Sequence, residues 1–96
     1  MSQRQFVLIV YDISKDKRRT KLHNVLLDYG TPVQYSVFEC ALKPRELERM
    51  KKAVLRVIKP RADQVRFYYL CARCVAQIEV TSGVEVLGGE QTTFLV

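Results

Sequence analysis

The stretch Phe6-Val7-Leu8-Ile9-Val10-Tyr11-Asp12-Ile13-Ser14 decides the fold. Its first six residues are apolar without alternation and rich in β-branched side chains, the pattern of a central strand covered on both faces. Asp12 ends the strand. Ser14 is a good helix N-cap, Asp16 complements the positive end of that helix, and Leu22, Val25, Leu26 and Tyr29 recur at the i, i+3, i+4, i+7 spacing of one helical face. Gly30 and Pro32 stop the helix.

Downstream, residues 33–42 are dense in β formers, but the apolar phase changes from Val33, Tyr35 and Val37 to Phe38, Cys40 and Leu42. A tight turn or bulge is expected near Ser36. Pro44 suits the first position of a second helix, with Leu47, Met50, Val54, Leu55 and Ile58 on its buried stripe and Pro60 beyond its end. Val65, Phe67 and Tyr69 alternate as a fourth strand. Right-handed crossovers fold the order strand, helix, strand, strand, helix, strand into one antiparallel sheet with both helices on one face. The expected class is α+β, a ferredoxin-like βαββαβ sandwich forming a single domain over residues 1–96 with its core in 4–70. Cys71-Ala72-Arg73-Cys74 is expected as a turn, and Ala76, Ile78 and Val80 as an extra strand. That strand needs an edge, so the segment from about residue 75 to 96 is expected to add to the sheet of a second copy in a two-fold homodimer. Residues 88–96 are expected to order only with a partner.

The chain has 96 residues, 16 of them basic and 10 acidic, for a net charge of +6, and its isoelectric point is near 9.5. Such a balance favours a polyanionic partner, with nucleic acid first. The longest apolar run, residues 6–11, is too short to span a bilayer, and residues 1–5 lack signal-peptide architecture, so a cytoplasmic protein without a membrane partner is expected. Three cysteines, an odd number, argue for reduced thiols over a disulfide framework.

Asp12 is the most informative polar residue, because it ends a buried strand beside the N-terminus of a basic helix, where backbone donors and cations gather. One carboxylate per subunit, paired across a two-fold axis, could hold a hard cation such as magnesium; the alternative is an Asx turn. Lys15, Lys17, Arg18, Arg19 and Lys21 crowd the same helix start. At about 100° per residue, Arg18 falls within the buried stripe, Arg19 and Lys21 flank it, and Lys17 lies further round. Arg18 could fork onto a phosphate, or pair with Asp12 or Glu39. Cys71 and Cys74 have the spacing of half a zinc site but no second pair. A thioredoxin-type redox role would need them at the opening of a helix after a parallel strand, which this order does not supply. They read as small packing residues; zinc shared between two subunits is the minor alternative. Tyr11, Tyr35, Phe38, Phe67, Tyr68 and Tyr69 could stack on bases, although most are expected in the core. No Ser/His/Asp constellation or glycine-rich phosphate loop can be assembled.

Tyr11-Asp12-Ile13-Ser14, Asp16-Lys17-Arg18-Arg19, Asp28-Tyr29-Gly30, the block from Val33 to Cys40, and Leu70-Cys71 with Cys74 together resemble the smaller of the two universal CRISPR spacer-acquisition proteins, a CRISPR-associated endoribonuclease family. The resemblance covers residues 6–80. It implies a ferredoxin-like homodimer with an exchanged C-terminal strand and a Mg2+ ion bound by Asp12. It also implies catalytic roles for Asp12 and Tyr11 and nucleic-acid contacts through Arg18, Arg19, Ser36 and Phe38, with Lys17 and Lys21 on the same basic helix. One departure is Thr31-Pro32, where some relatives carry a basic residue before the second strand. The implied function is spacer acquisition with magnesium-dependent endonuclease activity on RNA or double-stranded DNA. Two alternatives are a non-catalytic scaffold that binds DNA and bridges dimers of the larger integrase subunit, and a toxin-type ribonuclease of the same fold.

Overall fold

The computed structural model describes residues 4–82. Along the chain run β1 (Gln5–Asp12), α1 (Asp16–Leu26), β2 (Gly30–Gln34), β3 (Val37–Leu42), α2 (Pro44–Val57), β4 (Gln64–Leu70) and the four-residue α3 (Ala72–Val75). The four strands form one sheet in the order β2-β3-β1-β4, and every pairing is antiparallel. This is the ferredoxin-like α+β arrangement expected from the order of elements.

The apolar run of β1 has its explanation in the sheet order. β1 lies between β3 and β4, so both of its faces need cover. Val7, Ile9 and Tyr11 point into the main core with Phe38, Cys40 and Leu42 of β3, Leu22 and Leu26 of α1, and Met50 and Val54 of α2. Phe6 and Leu8 alternate to the other face, where Val75, Leu70, Ile78 and Val80 gather around Phe6 in a second cluster. Both helices therefore lie on one face, and the segment after β4 covers part of the other.

The β2–β3 hairpin turns on Tyr35 and Ser36. Ser36 has φ 64°, the only non-glycine in the left-handed region among the described residues, and the register shifts between Pro32 and Gln34. Turn and bulge thus fall where the apolar phase changes. Pro32 is tolerated because β2 is an edge strand, where a missing N–H breaks no second ladder. At the start of α2, Pro44 occupies the first helical position, and Glu46 Oε1 accepts from the Lys43 amide at 2.8 Å.

Several local expectations differ from the structure. Lys15, not Ser14, occupies the N-cap position of α1, and it makes no side-chain cap. Leu55 is 61 % exposed; Leu47, Met50, Val54 and Val57 carry the inward face of α2, and Leu55 sits about 100° round from Val54. Cys71 to Cys74 opens a short helix instead of a turn, and neither thiol is a packing group, since both are exposed. Ala76 and Gln77 turn, and among the described residues only a single bridge at Glu79 follows, while Ile78 and Val80 pack on their own chain's Phe6 cluster. The remainder of the expected exchange segment lies outside the described residues. No helix among the described residues is long and apolar enough to cross a membrane.

Candidate nucleic-acid and metal site

The C-terminal end of β1, the start of α1 and the β2–β3 turn meet at one end of the sheet. Asp12 is the last residue of β1, exposed, and opposite Gln64 of β4. By strand alternation it shares the face of Phe6, Leu8 and Val10, whereas Tyr11 shares the helix-covered face of Val7 and Ile9. Tyr11 and Asp12 therefore address opposite sides of the sheet.

Tyr11 is buried, and its amide donates to the Ser36 carbonyl at 3.1 Å. Burial pushes its phenol above the ordinary range, and Tyr35 adds to the shift, while Arg19 and a hydrogen bond with the Ser36 side chain oppose it. Beside it opens a shallow cavity of about 280 Å³ lined by Tyr11, Arg19, Thr20, His23, Gln34, Tyr35 and Ser36. Arg19 Nη1 donates to the Ile13 carbonyl at 2.9 Å, Nη2 pairs with Asp16, and the guanidinium carbon lies 5.8 Å from the centroid of the Tyr35 ring. Arg19 thus ties helix, loop and hairpin together while keeping one face on the cavity. Tyr35 is 80 % exposed, an aromatic surface presented beside a cation.

Arg18 lies on the inward side of α1, and its partner is neither Asp12 nor Glu39. Its Nε donates to Asp63 Oδ2 at 2.8 Å and its Nη2 to Asp63 Oδ1 at 3.0 Å. Asp63 is buried and also accepts from the Lys59 amide at 2.9 Å. The Arg18 hydrogen bonds, with the Lys59 amide second, hold its carboxyl below the usual carboxylate range. The forked pair locks α1 to the loop entering β4 and uses the geometry that a phosphate would otherwise take. Asp63 was not among the expected site residues; 45 positions separate it from Arg18, so no local spacing relates them.

Phe38 is fully buried, with its ring centroid 6.4 Å from that of Tyr11 and 5.1 Å from that of His23. It has no surface left on which a base could stack, so its contribution to the site is to seat Tyr11. The expectation that most aromatics are core holds for Tyr11 and Phe38, with Phe67 partly buried against the core, but Tyr35, Tyr68 and Tyr69 are exposed. Lys15, Lys17 and Lys21 are exposed, and their side chains make no hydrogen bond or ion pair within the described residues. These three lysines are the cations of α1 left for an external anion.

No group of three or more His, Cys, Asp or Glu side chains that could hold a metal ion occurs among the described residues. Asp12 fits a hard cation as one carboxylate donor, the remaining positions falling to water, a phosphate oxygen or a second copy's carboxylate.

Comparison with known proteins agrees with this architecture. A family model described as CRISPR associated protein Cas2 matches residues 5–78. A protein of Chloroflexus aurantiacus named CRISPR-associated endoribonuclease Cas2 1 is 45% identical over 76 residues, which are 78% of this chain and 82% of that protein. The crystal structure of Streptococcus pyogenes Cas2 at pH 6.5 superposes with a TM-score of 0.70 at 32% identity, covering 78% of this chain and 96% of the other. A chain of a partial Cas6-RT-Cas1–Cas2 complex superposes with a TM-score of 0.74 at 28% identity over 95% of this chain and 99% of that one. With residues 5–78 matched by the family model, a relative 45% identical over most of both chains and the fold shared with a Cas2 crystal structure, the chain belongs to the CRISPR-associated protein Cas2 family.

Proposed function

We propose that this protein acts in spacer acquisition as a basic homodimer that binds nucleic acid along the start of α1 and cuts phosphodiesters with a magnesium ion held at Asp12. The observation that carries the proposal is the placement of Asp12: an exposed carboxylate ending a buried central strand, on the helix-free face, beside a helix whose Lys15, Lys17 and Lys21 are uncommitted. When two helix-free faces meet about a two-fold axis, their Asp12 carboxylates supply two oxygen-donor groups to one ion. Such an ion would polarise a phosphodiester and lower the pKa of its bound water. The chain's own residues orient the strand: the lysines draw the backbone in, Tyr35 offers a stacking surface, and the Tyr11–Ser36 contact fixes the hairpin beside the end of β1.

A second reading has its own support. The superposition on a chain of a complex containing Cas1 favours a scaffold that lies between integrase subunits and carries DNA without cutting it. A single carboxylate, outside any group of three or more potential metal ligands among the described residues, suits that role as well. Both readings require the basic face, and Cas1 is the proposed partner in each. The test of that face is fluorescence anisotropy of a labelled duplex titrated with salt, for the wild type and for a Lys17→Glu, Lys21→Glu double variant. The variant is expected to bind more weakly at every salt concentration, with the log–log salt slope reduced by roughly 2. An unchanged affinity and slope would remove α1 from the interface. Arg18 is unsuitable for this test, since reversing it would strand Asp63.

A further inference from the structure

Cys71 and Cys74 are unused by the nucleic-acid reading, and the structure gives them a setting that their spacing alone does not. Cys71 follows the last residue of β4 and occupies the N-cap of α3, its carbonyl accepting from the Val75 amide at 3.0 Å. Cys74 lies three residues on, in the same turn, and both thiols are exposed. The Cys71–Val75 bond closes one turn with Cys71 at its N-cap and Cys74 at N3, the position toward which an N-cap side chain turns, so the two cysteines are near neighbours of the kind a disulfide can join. Each cysteine also shifts the other: the Cys74 amide and thiol hold Cys71 below the ordinary thiol range, and Cys71 in turn pushes Cys74 up. The third cysteine is the contrast. Cys40 is buried in the main core, and burial pushes its thiol up to about 11.

From this juxtaposition we infer that Cys71 and Cys74 form a reversible dithiol–disulfide site, oxidised by small disulfides of the glutathione type, with Cys71 the attacking thiol and Cys74 the resolving one. The Cys71 thiolate attacks one sulfur of the oxidant, forming a mixed disulfide and expelling one thiolate. The Cys74 thiolate then attacks Cys71 Sγ, closing the intramolecular bond and expelling the second thiolate. Two electrons pass to the oxidant, and the two cysteine protons end on the released thiols. The new bond fastens the end of β4 to α3, which holds Val75 against Phe6.

The test is incubation of the full chain with oxidised glutathione, followed by alkylation of the remaining thiols and mass spectrometry under non-reducing conditions. The wild type is expected to lose two of its three thiols without gaining glutathione, to stay free of intermolecular disulfides, and to recover all three on reduction. Cys74→Ser is expected to stop at a stable glutathione adduct on Cys71, and Cys71→Ser to form its adduct more slowly. Three free thiols after incubation, a persistent adduct on the wild type, or a bond between copies would each overturn the inference, as would equal rates for the two single variants.

Discussion

Asp63 shows how one residue can reassign the role of another. Arg18 sits on the inward stripe of α1, as its phase requires, and without a partner there its guanidinium would be the natural fork for a phosphate. Asp63 supplies that partner and is itself buried. Asp63→Asn should therefore lower the melting temperature at pH 7 by roughly 10 °C, because it leaves a half-buried cation unpaired. The pH dependence follows from the direction of the shift. The Asp63 carboxyl titrates lower in the folded chain than its ordinary 3.8, so its contribution to stability is complete above about pH 3.8 and is lost as the pH falls through the depressed folded value. Thermal melts of both proteins from pH 7 to pH 2 should converge at the acid end. A constant gap would show that the pair's charge is not what stabilises the fold. Phe38 is a parallel case: the motif around it draws attention to a functional role, whereas burial confines it to seating Tyr11.

Among the elements, β1 was legible because its pattern is unambiguous: an unbroken apolar run demands a central strand, and two neighbours cover it. The β2–β3 turn was legible because a change of apolar phase leaves few positions for the reversal, and Ser36 takes it with a left-handed φ. What escaped was of another kind. The pairing of Arg18 with Asp63 joins residues 45 apart, and no periodicity encodes it. The segment after β4 alternates as a strand should, yet within the single chain Ala76 and Gln77 turn, and Ile78 and Val80 pack against the cluster around Phe6. Gly30 marks a constraint at the start of β2 that is equally silent in sequence: a Cβ there would run into Cys40 Sγ and the Glu39 carbonyl of the adjacent strand. Gly30→Ala should cost about 2 kcal/mol, measured by urea denaturation. A variant as stable as the wild type would mean that the β2–β3 spacing yields easily.

Over the whole molecule, the helix-free face sets the account of function. Val10 and Val37 lie opposite one another on β1 and β3 and remain half-buried, outside the cluster around Phe6. A second copy seated there would cover them and bring two Asp12 residues toward a common axis. Sedimentation equilibrium should accordingly return twice the 11.2 kDa chain mass, and Val10→Asp should shift the population to single chains; a wild type that sediments as one chain would deprive the metal proposal of its second carboxylate. The most direct test of the account is cleavage of labelled single-stranded RNA and double-stranded DNA, with and without magnesium, by the wild type and by Asp12→Ala purified identically. Magnesium-dependent cutting of at least one substrate by the wild type, lost in Asp12→Ala while duplex binding persists, is the predicted result. Cutting that survives in the variant, or a wild type no more active than its variant, would contradict a nuclease centred on Asp12, and the second outcome would leave the DNA-carrying scaffold as the function of this fold.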